Sequence, residues 1–384
     1  MKMIASIFTY RFFDFENKTV RIGGIETYTL DLSLLLTKMG YETTVYTALN
    51  NITSPNEGEY KGFKITEISK DKTFDSTFQK LYKQLKGEGL YIIMTDDMKI
   101  DSYNKPNVIT IQHGISWDNP SWSFSPKFQK GLLFTFRKIQ RCFEHISIFK
   151  KVSNMICVDY NYYNWIRTLH EVPENMRLAI IPNYASTAIT IEEFEKKLSN
   201  ITDLKKSKIV FARRLTRYRG AQLFANVVMR LLKKYPELEI TIAGDGDLEE
   251  KLRKDFANNH NVTMTKYSAD NSIDFHKQFD IAVVPTIYSE GTSLSLCEAM
   301  AAGCIPIATH VGGLTNLIID SFNGKLCYPS ENAVYDTLEE LINMDITEYK
   351  NILINSYNTY HTALNKKKWE ERWVAFISNI NQEP

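Results

Sequence analysis

The chain has 384 residues, 43% hydrophobic and 24% charged, and its 46 lysines and arginines against 45 acidic residues leave a net charge of +1. That length can bury more than one core and predicts two or three domains. The near balance of charge excludes strong global steering, and with no domain-wide basic excess or base-stacking motif, nucleic acid is excluded as the main partner.

In chain order, Met1 to Phe8 carries an apolar run too short for a signal peptide, with no small-residue cleavage site before Arg11, so it reads as a first strand. Ile22, Ile25, Tyr28, Leu32, Leu35, Leu36 and Met39 recur at three- and four-residue spacing and predict a helix that Gly40 ends. Thr43 to Ala48 resumes as a strand. Tyr91 to Met94, Val108 to Ile111, Met155 to Val158 and Leu178 to Ile181 are further strand candidates, the first two ending in polar residues at a ligand-facing edge. Dense charge from Ile191 to Lys206 marks a junction. Strands near 209–212, 239–243, 262–265, 280–284 and 305–308 follow, with helices such as Leu223 to Leu232 between them. This alternation predicts an α/β fold with parallel sheets. No apolar run reaches the about 20 residues that cross a bilayer. Five scattered cysteines without a Cys-x-x-Cys pair read as reduced, buried thiols, and the expected location is cytoplasmic.

The strongest functional signal is Glu290 and Glu298, eight positions apart, bracketing Gly291-Thr292-Ser293-Leu294-Ser295-Leu296-Cys297. Ile281 to Val284, closed by Pro285, reads as a buried strand, and Ser293 to Ala302 as a helix. Backbone N–H groups at such a helix start suit a phosphate or an electron-rich hydroxyl. Were the intervening residues fully helical, the two carboxylates would stand roughly 12 Å apart along the axis. A nucleotide sugar spans such a distance, with sugar hydroxyls on one acid, a ribose diol on the other and the diphosphate between.

These residues resemble the E-x7-E signature of the retaining glycosyltransferases of family four, which have a GT-B fold of two Rossmann-like domains facing across a cleft. The likeness extends to Ile209-Val210-Phe211-Ala212-Arg213-Arg214-Leu215 with Arg219-Gly220, to Gly244-Asp245-Gly246, and to Val311-Gly312-Gly313-Leu314 with Asn323-Gly324. Weaker marks are Gly23-Gly24 with Glu26, His113-Gly114 and Ile180-Ile181-Pro182-Asn183. The resemblance implies an acceptor-side domain over 1–185, a linker over 186–206, a donor-side domain over 207–365, and a helix over 366–384 crossing back to the first domain. Trp369, Trp373 and Phe376 at helical spacing suit that crossing.

The resemblance implies site roles residue by residue. Glu290 binds donor-sugar hydroxyls and compensates oxocarbenium charge, and Glu298 anchors the ribose. Arg214 and Arg219 clamp the departing diphosphate, so that no metal is required. Gly23, Gly24, Gly291, Thr292, Ser293 and Leu294 line the sugar and phosphates. His113, which alone reads as structural, holds hydroxyls near the anomeric carbon with a neutral ring. Four departures from the family pattern stand out: Arg213 in place of Gly, Arg219 in place of Lys, Thr292-Ser293 after Gly291, and Tyr184 where the hinge carries Gly. Asp245 with Asp247 and Asp96 with Asp97 offer too few ligands for a divalent-ion cage.

The expected reaction is metal-independent front-face transfer from a UDP- or GDP-linked sugar to a glycan or lipid-linked acceptor, in cell-surface polysaccharide or glycoconjugate synthesis. A nucleotide-sugar 2-epimerase of the same fold and a non-catalytic sugar-nucleotide or glycan-binding protein are the alternatives. From Lys127 through Lys151, seven basic residues face only Glu144 amid several aromatics, which makes 127–151 a candidate for contact with the inner face of the plasma membrane.

Overall fold

A computed structural model describes residues 3–21, 23–49, 55–95, 103–118 and 132–381. Asp96, Asp97, Lys127, Phe128 and Lys130 lie outside the described residues.

Two parallel sheets organise the molecule. The first runs in spatial order Arg177–Ile180, Asn154–Cys157, Val108–Gln112, Leu90–Ile93, Met3–Thr9, Tyr41–Leu49, Phe63–Ser69 and Asn56–Tyr60. Only the last strand is antiparallel; it folds back on Phe63–Ser69 as an edge hairpin. The second runs Val262–Thr265, Glu239–Ala243, Lys208–Ala212, Ile281–Val284, Ile305–Thr309 and Lys325–Cys327, parallel throughout. In both, the chain starts in the middle, builds toward one edge, then returns to the centre and builds toward the other. Between the first and fourth parallel strands the connections diverge to opposite faces, which opens a crevice at the strands' carboxyl ends. Strand interiors such as Ile281-Ala282-Val283-Val284 are at most 3% exposed because helices cover both faces of a parallel sheet.

The first long helix spans Gly24–Lys38, buries Tyr28, Leu32, Leu35 and Leu36, and stops where Gly40 takes φ +92°. The charge-dense stretch after residue 186 is not an open linker. Thr190 and Glu193 cap each other's backbone N–H groups and start a helix, Ile191–Asn200, whose Phe194 stacks on Tyr357 with ring centroids 3.9 Å apart. Ile189, Phe194 and Leu204 join the core of the second sheet. Charged residues on the outer face concealed the apolar positions on the inner one.

The C-terminal helix, Lys366–Asn381, places Trp369, Trp373, Phe376, Ile377 and Ile380 in the core of the first sheet, far from it in sequence. Trp373 Nε1 donates to the Tyr28 hydroxyl at 2.9 Å, and Lys366 pairs with Asp31 of the first helix at 2.5 Å. Tyr184 donates its hydroxyl to the same Asp31 and packs on Trp369, so the side chain that stands in the hinge pins it to both helices.

Candidate active site

At the crevice of the second sheet, Arg213 follows the strand Lys208–Ala212 and Glu290 lies in the loop after Ile281–Val284. These are the two neighbouring strands at which the order reverses. Their side chains meet: Arg213 Nη2 bonds Glu290 Oε1, Arg219 Nη1 lies 2.6 Å from the same oxygen, and the Thr286 hydroxyl donates to Oε2 at 2.6 Å. Arg213 Nη1 also reaches Thr286 Oγ1 at 2.5 Å. Side-chain exposure is 5% for Arg213 and 9% for Glu290. Burial alone would push the Glu290 carboxyl up, but the two guanidiniums outweigh it and hold it down at about 2.

The helix expected over Ser293–Ala302 is Leu294–Ala301, with Ser293 at its N-cap. Residues 285–293 are loop, so the two acids do not share a helix: Glu290 precedes it and Glu298 sits in its second turn. The loop is held by close backbone approach. A Cβ on Gly291 would fall 2.8 Å from the His113 carbonyl oxygen and 2.6 Å from Val158 Cγ2. At Gly312, where φ is +53°, it would fall 2.0 Å from the Glu290 carbonyl oxygen.

Thr292 departs from its expected place against the donor. It is 1% exposed, donates its hydroxyl to the Val158 carbonyl at 2.9 Å and accepts from the Asn183 N–H at 2.8 Å. Its side chain is therefore a staple between the domains rather than a wall of the sugar site. Ser293 is also buried, with its hydroxyl 3.5 Å from Arg213 Nη2. Leu294 reaches across the cleft: its Cδ1 lies 3.6 Å from where a Cβ on Gly24 would be. Beside it, Arg214 Nη2 lies 3.1 Å from the corresponding point on Gly23. The starts of the helices Gly24–Lys38 and Leu294–Ala301 thus face one another, each presenting backbone N–H groups without intrahelical partners. Arg214 is exposed and makes no ion pair among the described residues, which leaves its guanidinium available at this junction.

His113 stands on the first domain, against Gly291. Its ring bonds the Met94 backbone, burial lowers its pKa to about 4, and Nε2 has no hydrogen-bond partner among the described residues. The bond to a carbonyl puts the proton on Nδ1 and leaves Nε2 a lone-pair acceptor at neutral pH. Tyr28 meets the imidazole edge-on, ring centroids 5.2 Å apart. Glu298 differs from Glu290 in having no cation beside it among the described residues. Burial raises its carboxyl to about 7 and only the Ser272 hydroxyl works against this. A carboxyl so placed gains from a ligand that donates two hydroxyl hydrogens.

Glu290, Arg219, Arg214, His113, Gly23, Gly24, Gly291 and Leu294 therefore converge where the domains meet, and Glu298 lies one helical turn deeper on the donor side. Arg213 was missed as a site residue because its position matches a glycine in the family pattern; the doubled arginine of Arg213-Arg214 was the available signal. Tyr28 was read only as one apolar position of a helix. Asp245 serves through its backbone, accepting the Leu215 N–H at 2.6 Å and so bracing the loop that carries the arginines. No three metal-ligating side chains gather among the described residues.

Residues 192–358 match the family model described as glycosyl transferases group 1. The galactosyltransferase of Escherichia coli that acts on α-D-GlcNAc-diphosphoundecaprenol is 23% identical over 72% of this chain and 74% of its own. The gpi3 subunit of phosphatidylinositol N-acetylglucosaminyltransferase from Schizosaccharomyces pombe is 28% identical over 55% of this chain and 44% of its own. With a Methanocaldococcus jannaschii glycosyltransferase the match spans 32% of each, so the chain spans less than half the length of several curated relatives. Sucrose-phosphate synthase from Thermosynechococcus elongatus superposes with a TM-score of 0.74 at 15% identity, covering 99% of both chains. Over residues 192–358 the chain is thus similar to the group 1 glycosyl transferases, and that stretch sits within a GT-B fold that extends over the whole length.

Proposed function

We propose that the protein is a retaining glycosyltransferase that moves a sugar from a UDP- or GDP-linked donor to a hydroxyl of a glycan or lipid-linked acceptor. The observation that carries this reading is the Glu290 carboxylate held ionised between Arg213 and Arg219, facing the opposed helix starts and His113. In the reaction the bond from the anomeric carbon to the diphosphate oxygen breaks while the acceptor oxygen bonds from the same face. The acceptor proton passes to the departing diphosphate oxygen. Arg214, Arg219 and the N–H groups at the helix starts offset the charge that develops there, so the step needs no metal. Neutral His113 accepts a hydrogen bond from a sugar hydroxyl, and Glu298 accepts from the ribose diol. Glu290 anchors Arg219 and keeps a fixed negative charge near the oxocarbenium-like carbon.

Two relatives act, by their names, on lipid-borne acceptors, which supports a lipid-linked acceptor and a place in cell-surface polysaccharide or glycoconjugate synthesis on the cytoplasmic side. A panel of nucleotide sugars in EDTA, read by thermal shift and then by mass spectrometry of turnover with candidate acceptors, tests the proposal. Turnover that retains configuration is expected. Transfer undiminished in Glu290→Gln, or products formed only by isomerising the donor, would overturn it.

A further inference from the structure

The helix Leu132–Phe149 turns one face inward, with Cys142, His145, Ile146, Ile148 and Phe149 between 0% and 7% exposed. Its other face is apolar but open: Leu132 is 91% exposed, Phe136 64%, Ile139 49% and Phe143 65%. Those four positions follow one another at i, i+4, i+7 and i+11, so they form a single stripe along the helix. Large apolar side chains exposed in a row, rather than scattered, mark a surface built to be covered. The segment from 132 to 151 carries Arg137, Lys138, Arg141, Lys150 and Lys151 against Glu144 alone. Lys150 and Lys151 are exposed at its end, and Lys138 is tied to Asp118 at 3.1 Å.

We infer that this helix docks the protein on a bilayer containing anionic lipid, with the Leu132-Phe136-Ile139-Phe143 stripe entering the headgroup boundary and the flanking cations meeting lipid phosphates. Charge selects this occupant. A second copy seated on the same stripe would bring the two basic segments against each other, whereas an anionic bilayer complements the cations and accepts the aromatic side chains. The position in the fold adds a consequence. Asp118 and Trp117 belong to the short turn just after His113-Gly114, and Trp117 packs on His145 of the inner helix face, ring centroids 4.9 Å apart. The docked helix therefore supports the loop that carries His113, and a lipid-borne acceptor hydroxyl would arrive on the side of the cleft where that histidine stands. This last step rests on the proposed transfer reaction; the docking itself does not.

Co-sedimentation of the full chain with phosphatidylcholine vesicles, with and without phosphatidylglycerol, tests the inference at low and raised salt. Binding is expected only to the anionic vesicles and is expected to weaken with salt. The paired variant Phe136→Ser with Phe143→Ser should abolish it. Lys150→Glu with Lys151→Glu should weaken it on the order of tenfold or more. Both variants alter exposed residues, and nucleotide-sugar binding measured on the same preparations should stay unchanged, which separates docking from the donor site. Absence of binding at low salt, or binding indifferent to the two Phe substitutions, would overturn the inference. So would competition by inorganic phosphate at the concentration of lipid phosphate, which would indicate an anion site. A dimer in sedimentation velocity that Phe136→Ser with Phe143→Ser dissociates would assign the stripe to a second copy instead.

Discussion

Replacing Arg213 with methionine removes a guanidinium of which only 5% is exposed and leaves the equally enclosed Glu290 with a single cation, Arg219. A carboxyl held at about 2 rather than its ordinary 4.5 contributes about 3 kcal/mol of stability at neutral pH. Because the folded-state pKa is the depressed one, that contribution is present above about pH 4.5 and is lost as pH falls through about 2. Arg213→Met should therefore destabilise by about 3 kcal/mol or more, since a buried charge left with half its compensation costs on the order of 3–5 kcal/mol. Glu290→Gln should cost a similar amount by stranding Arg213. The double variant decides the matter: with neither charge present, its loss should fall short of the sum of the single losses by about 1–3 kcal/mol. Urea unfolding of the four proteins at pH 7, repeated near pH 4, measures this coupling. Additivity within about 0.5 kcal/mol at both pH values would refute the view that Arg213 and Glu290 form one buried electrostatic unit.

Glu298 titrates in the opposite sense: with its folded pKa raised to about 7, the protonated form is favoured and apo stability from this group falls as pH rises from about 4.5 through about 7. Donor affinity measured by calorimetry should accordingly weaken as pH drops below about 7, and Glu298→Gln should flatten that dependence. His113, at about 4, should add no inflection to the rate profile in the neutral range, and an inflection lost in His113→Gln would count against the neutral-ring role. Trp373→Phe takes away the 2.9 Å bond to the Tyr28 hydroxyl behind His113; stability should drop by about 1 kcal/mol and kcat should fall with little change in donor KM. Thr292→Val strands the Asn183 N–H and the Val158 carbonyl, so a loss of about 1–3 kcal/mol is expected by thermal unfolding.

Local pattern made much of this protein legible. The three- and four-residue spacing from Ile25 to Met39 marked the first helix, and apolar runs such as Ile281 to Val284 marked strands, because one buried face or two leave a period in the chain. The edge hairpin Asn56–Tyr60 with Phe63–Ser69 escaped, since its first strand, Asn-Glu-Gly-Glu-Tyr, is polar and takes its hydrogen bonds from a neighbour rather than its shape from its own composition. The Ile191–Asn200 helix hid behind its charged face in the same way.

By itself the sequence determined the α/β alternation, the helix start after Glu290, the acids at 290 and 298, and the amphipathic run ending at Lys151, all of which depend on residues near one another in the chain. Which arginine holds Glu290, which way Thr292 turns, and that Trp373 stands behind His113 through Tyr28 were decided only by the tertiary structure. The reason is physical: a side chain's charge state and hydrogen-bond partners are set by whatever occupies the few ångströms around it. Here those neighbours are brought together from the two sheets and from a helix at the far end of the chain.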